Sequence, residues 1–142
     1  MRLTSLMLAD HAEAVRGKLY MTGGAWDTIH ARQFPVLHPH LSVVVALEVG
    51  WEDLDKSVPV EVKLLDADGR SLLQRPVGGQ ARARRQDGVT PGDTTPLLLV
   101  FNLLGARFEK PGSYTVTVEI DGQPSGQVPL KLRQRQAPPA PS

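Results

Sequence analysis

Leu41-Ser42-Val43-Val44-Val45-Ala46-Leu47-Glu48-Val49 decides the fold class, because Leu41, Val43, Val45, Leu47 and Val49 fall at every second position. In an extended chain that spacing puts all five on one face, whereas a helix would scatter them around its axis. The same period recurs in Val58, Val60, Val62 and Leu64, with Glu61 and Lys63 opposite, and in Tyr114, Val116, Val118 and Ile120 against Thr115, Thr117 and Glu119. Val128, Leu130 and Leu132 alternate with Pro129 and Lys131. Leu97 to Leu103 is almost continuously apolar, which predicts a central strand covered on both faces. Further candidate strands are Leu3 to Ala9, Lys18 to Thr22, Trp26 to Ala31 and Arg70 to Val77.

Between these runs lies turn chemistry. Asp66-Ala67-Asp68-Gly69 reads as a hairpin turn and Asp121-Gly122 as another, and Pro111-Gly112 fits the centre of a type II turn before Tyr114. One short helix is expected after Asp10, capped by Asp10 with Glu13 reaching back and Gly17 stopping it. Gly78 to Pro96 reads as a long mobile loop. Eight or nine short strands therefore predict an all-β chain, an antiparallel two-sheet β-sandwich, with a jelly roll or small barrel as alternatives. At 142 residues one domain over 1–133 is expected, followed by a disordered proline-rich tail over 134–142.

Composition narrows the chemistry. The chain has no cysteine, so disulfides, thiolate metal sites and a cysteine nucleophile are excluded. Sixteen basic against fifteen acidic side chains leave +1, too little to steer the protein towards nucleic acid or an anionic membrane. Polar residues follow Leu3 to Ala9 too soon for a signal peptide, and no apolar run reaches the length of a spanning helix, so a cytoplasmic protein without a membrane partner is expected.

Candidate sites are few. His38-Pro39-His40 has two imidazoles one residue apart, but no glutamate follows at metal-site spacing; the next acid is Glu48. His11 and His30 stand scattered. Asp66 and Asp68, with Glu52, Asp53 and Asp55, could place oxygens around calcium, yet the EF-hand pattern fails after Gly69. No serine sits in a nucleophile motif, and Gly23-Gly24 and Gly78-Gly79 match no phosphate-binding loop, so no enzyme and no cofactor are expected. Charge separates locally: 48–68 carries seven acids against two lysines, net −5, and 70–85 carries five arginines and no acid, net +5. Arg82, Arg84 and Arg85 form the densest cluster and are the candidate anion- or partner-binding residues. Trp26, Tyr114 and Gly112 are expected to be structural.

The run from Ala9-Asp10-His11-Ala12-Glu13-Ala14-Val15-Arg16-Gly17 through Lys18-Leu19-Tyr20-Met21-Thr22-Gly23-Gly24-Ala25-Trp26-Asp27 resembles the opening of a family of uncharacterised, mainly actinobacterial small proteins. Leu64 to Arg70 and Phe108 to Tyr114 resemble it too. That likeness implies a small bacterial β-protein and supplies no catalytic residues. Pro111-Gly112-Ser113-Tyr114 followed by Thr-Val-Thr-Val is similar to the penultimate-strand entry of fibronectin-like and bacterial immunoglobulin-like domains, and that likeness implies a β-sandwich of immunoglobulin-like type. The expected function is a non-enzymatic module that binds a protein partner or its own copies. The alternatives are a small-molecule or metal-binding protein built around the histidines and Trp26-Asp27, or a weak anion binder using the arginines, with nucleic acid disfavoured by the shortage of aromatic residues.

Overall fold

A computed structural model describes residues 1–136 as nine strands: β1 (Arg2–Val15), β2 (Lys18–Gly24), β3 (Thr28–Ala31), β4 (Val36–Gly50), β5 (Val58–Leu65), β6 (Val77–Ala81), β7 (Thr94–Phe108), β8 (Gly112–Ile120) and β9 (Gln123–Gln134). They form two sheets, ordered β2-β1-β4-β7 and β3-β9-β8-β5-β6, one of them curled into a half-barrel. The period-two faces meet between them: Leu41, Val43, Val45 and Leu47 of β4 pack with Val60, Val62 and Leu64 of β5, Val116 and Val118 of β8, and Leu130 of β9. Burial of each such side chain contributes about 1.5–3 kcal/mol. The chain is thus all-β with two sheets, but not wholly antiparallel, because β3 runs parallel to β9. No helix among the described residues is long and apolar enough to cross a membrane.

Several expectations are corrected. The helix after Asp10 does not form; β1 continues to Val15 and turns through Arg16-Gly17, both at positive φ, into β2. The two-residue turn suits the strand twist, and six paired positions along β1 and β2 override the weak helical preference of Ala12-Glu13-Ala14. Leu97 to Leu103 is not central, since β7 is the edge of its sheet. Its run is apolar on both faces apart from Asn102 because Leu97, Leu99 and Phe101 face the main core while Val100 joins a second cluster around Ala9, Ala12 and Val44. Arg70 to Pro76 forms no strand, holding only a bridge between Ser71 and Leu65. Within the expected loop, Val77 to Ala81 is β6, and Ala83 packs with Val49 and Leu54. Gly112 begins β8, paired with Leu132 and outside a type II turn, at φ 150, a conformation that favours glycine. At the C-terminal boundary Gln134 still pairs with Ala31, and the Arg135 N–H donates to the Ala31 carbonyl at 2.7 Å. The rest of the expected tail, 137–142, lies outside the described residues.

One irregularity positions the site. Between the His38–Ala106 and His40–Leu104 pairs of β4 and β7 lie Pro39 and Gly105. Gly105 has φ 65, a conformation a side chain resists. Beyond this point the inward set changes from odd to even residues: Leu41 and Leu103 give way to Val36 and His38 on β4 and to Ala106 and Phe108 on β7. His38 consequently turns inward while His40 stays outside.

Candidate functional site

The connection from β2 to β3 carries the chain from the first sheet to the second and contains Ala25, Trp26 and Asp27. Trp26 is half-buried, and its indole N–H donates to the Gly23 carbonyl at 2.6 Å, which fixes the ring. The ring meets the edge of His38, with centroids 6.3 Å apart and planes inclined by 67°. It lines two cavities. The larger, 520 Å³, has apolar walls from Leu6, Leu8 and Val128. The smaller, 310 Å³, is lined by Asp10, Trp26, Thr28, Ile29, His30 and His38.

All four histidines of the chain gather at this end. His40 Nδ1–H donates to the Asp10 carbonyl at 2.7 Å, and its ring lies 5.6 Å from that of His11, which bonds Glu13 at 3.0 Å. His38 Nε2 is buried with no hydrogen-bond partner. Burial is the main influence on that ring and pushes its pKa below the ordinary imidazole value, leaving it neutral at neutral pH. Because the reversal at Pro39 sends the rings of His38 and His40 to opposite sides, they do not present a shared metal site. Among the described residues no group of three His, Asp or Glu side chains is placed to hold an ion. Beside the cleft, the Thr28 hydroxyl donates to Asp27 at 2.7 Å and holds that carboxyl below its usual range.

Asp10 is the residue sequence reasoning placed in another role. Its carboxylate lies so close to Gly23 that a Cβ there would overlap it, which gives the Gly-Gly pair before Trp26 a physical reason. Asp10 and His38 come from different strands, and only the cross-strand register reveals that they line one cavity.

The other singled-out residues lie elsewhere. Arg85 stacks over Trp51, 4.1 Å from the ring centroid, and its Nε lies 3.6 Å from Asp55. Asp55 also accepts the Arg85 main-chain N–H at 3.0 Å, so the acidic stretch folds back onto this arginine. Arg82 and Arg84 are exposed. Asp66 is occupied by its own turn, accepting N–H bonds from Asp68 and Arg70, each at 2.9 Å. Asp53 lies 3.6 Å from Lys56 Nζ. Tyr114 is buried; its hydroxyl donates to the Lys110 carbonyl at 2.6 Å and its ring meets Phe108 edge-on at 5.0 Å.

A family model described as a family of unknown function, DUF6941, matches residues 4–133. The chain belongs to that family. For this DUF6941 protein no curated protein gives a match. Among solved structures it is similar to the Pseudomonas fluorescens alkylpurine DNA glycosylase AlkC bound to DNA containing an abasic site analog. That similarity has 12% identity and a TM-score of 0.44 over 90% of this chain, which spans 30% of the glycosylase chain.

Proposed function

We propose that this protein is a non-catalytic binding module that takes an extended segment of another protein into the opening between its sheets, with Trp26 as the anchor. The observation that carries the reading is the place of Trp26: a half-buried indole, locked by its bond to Gly23, forms the shared wall of two adjoining cavities. Large aromatic side chains in such positions dominate binding energetics because they are rigid and bury much area. The connection holding Trp26 joins β2 to β3, each the edge strand of its sheet. Their unpaired main-chain groups favour an extended occupant that adds a strand. Nearby hydroxyls are engaged in structural bonds, Thr28 with Asp27 and Ser42 with Asn102, which favours binding over nucleophilic chemistry. Within the all-β class we read the architecture as immunoglobulin-like, supported by the bond from Tyr114 to a carbonyl four residues upstream at the entry to β8.

The test is selection of displayed peptides on the immobilised protein, followed by binding to Val128→Trp, which fills the larger cavity. Selected peptides are expected to shift the Trp26 indole N–H resonance and to bind the folded variant at least about tenfold more weakly. Failure to select any peptide, or equal binding to the filled variant, would overturn the reading. Concentration-dependent dimers that disappear in the same variant would identify a second copy as the occupant instead.

A further inference from the structure

The smaller cavity has a polarity the larger one lacks. Asp27, on the rim of the larger, lies 3.9 Å from Lys131 Nζ, whereas Asp10, in the smaller, makes no ion pair among the described residues. His38 lines the same cavity, and its Nε2 is buried without a partner. Buried polar atoms in folded proteins are nearly always satisfied, so an orphan on a residue that lines a cavity points to a missing partner. Burial favours the neutral form of the His38 ring, which carries one acceptor nitrogen. The third wall is the Trp26 indole, whose own N–H is already spent on Gly23, so the ring offers its π system and no further donor.

A carboxylate, an imidazole acceptor and an indole ring all call for a flat cation rich in N–H donors. We propose that the smaller cavity is a recognition pocket for a guanidinium group, an arginine side chain of the bound segment. Asp10 opposes its charge, His38 Nε2 accepts one N–H, and Trp26 packs against its plane. Guanidinium suits this set better than ammonium because its donors spread in a plane and it desolvates more readily. The cavity, 310 Å³, is ample for the group and part of its stem. Gly23 is part of the device, since a side chain there would displace the Asp10 carboxylate. The assignment rests on the reading that a protein segment occupies the opening, and supplies the residue by which that segment is chosen.

The probe is N-acetyl-arginine N-methylamide, titrated into the full chain while the Trp26 indole and His38 ring signals are followed by NMR. Saturable shifts at both residues are expected. The citrulline analogue, of the same shape but uncharged, is expected to bind at least about tenfold more weakly, and Asp10→Asn to cost the arginine probe a similar factor. His38→Phe, with its fold checked by thermal melting, serves as the second variant and should also weaken the probe. Equal binding of arginine and citrulline analogues, an unaffected Asp10→Asn, or a lysine analogue that binds as well as arginine would overturn the assignment. Val128→Trp separates the two claims, because it blocks the larger cavity and should leave the probe's affinity unchanged. Selected peptides that bind while the probe gives no shifts would refute the guanidinium pocket and leave the binding module standing.

Discussion

Ser42 is the one fully buried polar side chain among the described residues, and replacing it with alanine tests how β1, β2 and β4 hold together. Its hydroxyl donates to Asn102 Oδ1 at 2.7 Å and accepts the Ala12 N–H at 3.1 Å. The need for that second bond follows from the register. β1 pairs with β4 up to Ala9–Ser42 and then diverges towards β2. The two-residue turn makes Val15–Lys18 a hydrogen-bonded pair, and bonded pairs alternate along an antiparallel ladder. Ala12–Met21 is therefore a non-bonded pair, and the Ala12 N–H points away from β2 towards the place where β4 would have continued. Ser42 supplies the missing acceptor. In Ser42→Ala a donor on a residue only 1% exposed loses it. Asn102 is exposed and rehydrates at little cost. The expected loss is that of one orphaned buried donor, about 2 kcal/mol. For a chain of this length it corresponds to a fall of about 6 °C in Tm. Urea unfolding should show a lower midpoint with an unchanged slope, and amide exchange at Ala12 should speed up selectively. A loss below about 0.5 kcal/mol with Ala12 exchange unaltered would refute the account, because it would mean that another group satisfies the amide.

Tyr114→Phe keeps the edge-on contact with Phe108 and removes only the bond to Lys110, so chemical denaturation should show a loss of about 1 kcal/mol. Burial raises the Tyr114 pKa above 10.0; the phenol's contribution is complete below that pH and is lost as the pH rises through the raised value. The alkaline decline in stability should accordingly be shallower in Tyr114→Phe. Trp26→Ala removes a half-buried ring and should cost about 2 kcal/mol, less than a fully buried tryptophan; an unchanged melting temperature would place all its contribution in binding. Arg82→Gln and Arg84→Gln should leave stability within about 0.5 kcal/mol, while Arg85→Gln loses its stacking on Trp51 and should cost about 1 kcal/mol. Heparin retention of the wild type should be weak and disappear with modest salt; retention that survives salt and vanishes in the Arg82→Gln, Arg84→Gln pair would establish an anion site there.

The β4, β5 and β8 strands were legible because each buries one face in the common core, and a period of two then appears in the sequence whatever the neighbours are. Legibility fails where the decisive contact is non-local. Ala12-Glu13-Ala14 carries a helical preference, and only its pairing with Leu19 to Met21 makes it strand. Val77 to Ala81 lacks an apolar face because two of its residues are Gly78 and Gly79, the first packed so closely on the Val60 carbonyl that no Cβ fits. Leu97 to Leu103 shows the opposite error: apolar residues on both faces imply a central strand, but a second cluster around Ala9, Ala12 and Val44 gives even this edge strand an apolar neighbour on its other face. The candidate site is the extreme case. In a regular strand His38 and His40 would share a face, and the paired imidazoles would suggest a metal. The reversal at Pro39 and Gly105 separates them, sending one ring out to Asp10's carbonyl and the other inward, unpartnered, against Trp26. Neither Pro39 nor Gly105 announces that reversal alone, since proline and glycine are common in turns; it arises only because the register of β4 and β7 sets them between the same two pairs.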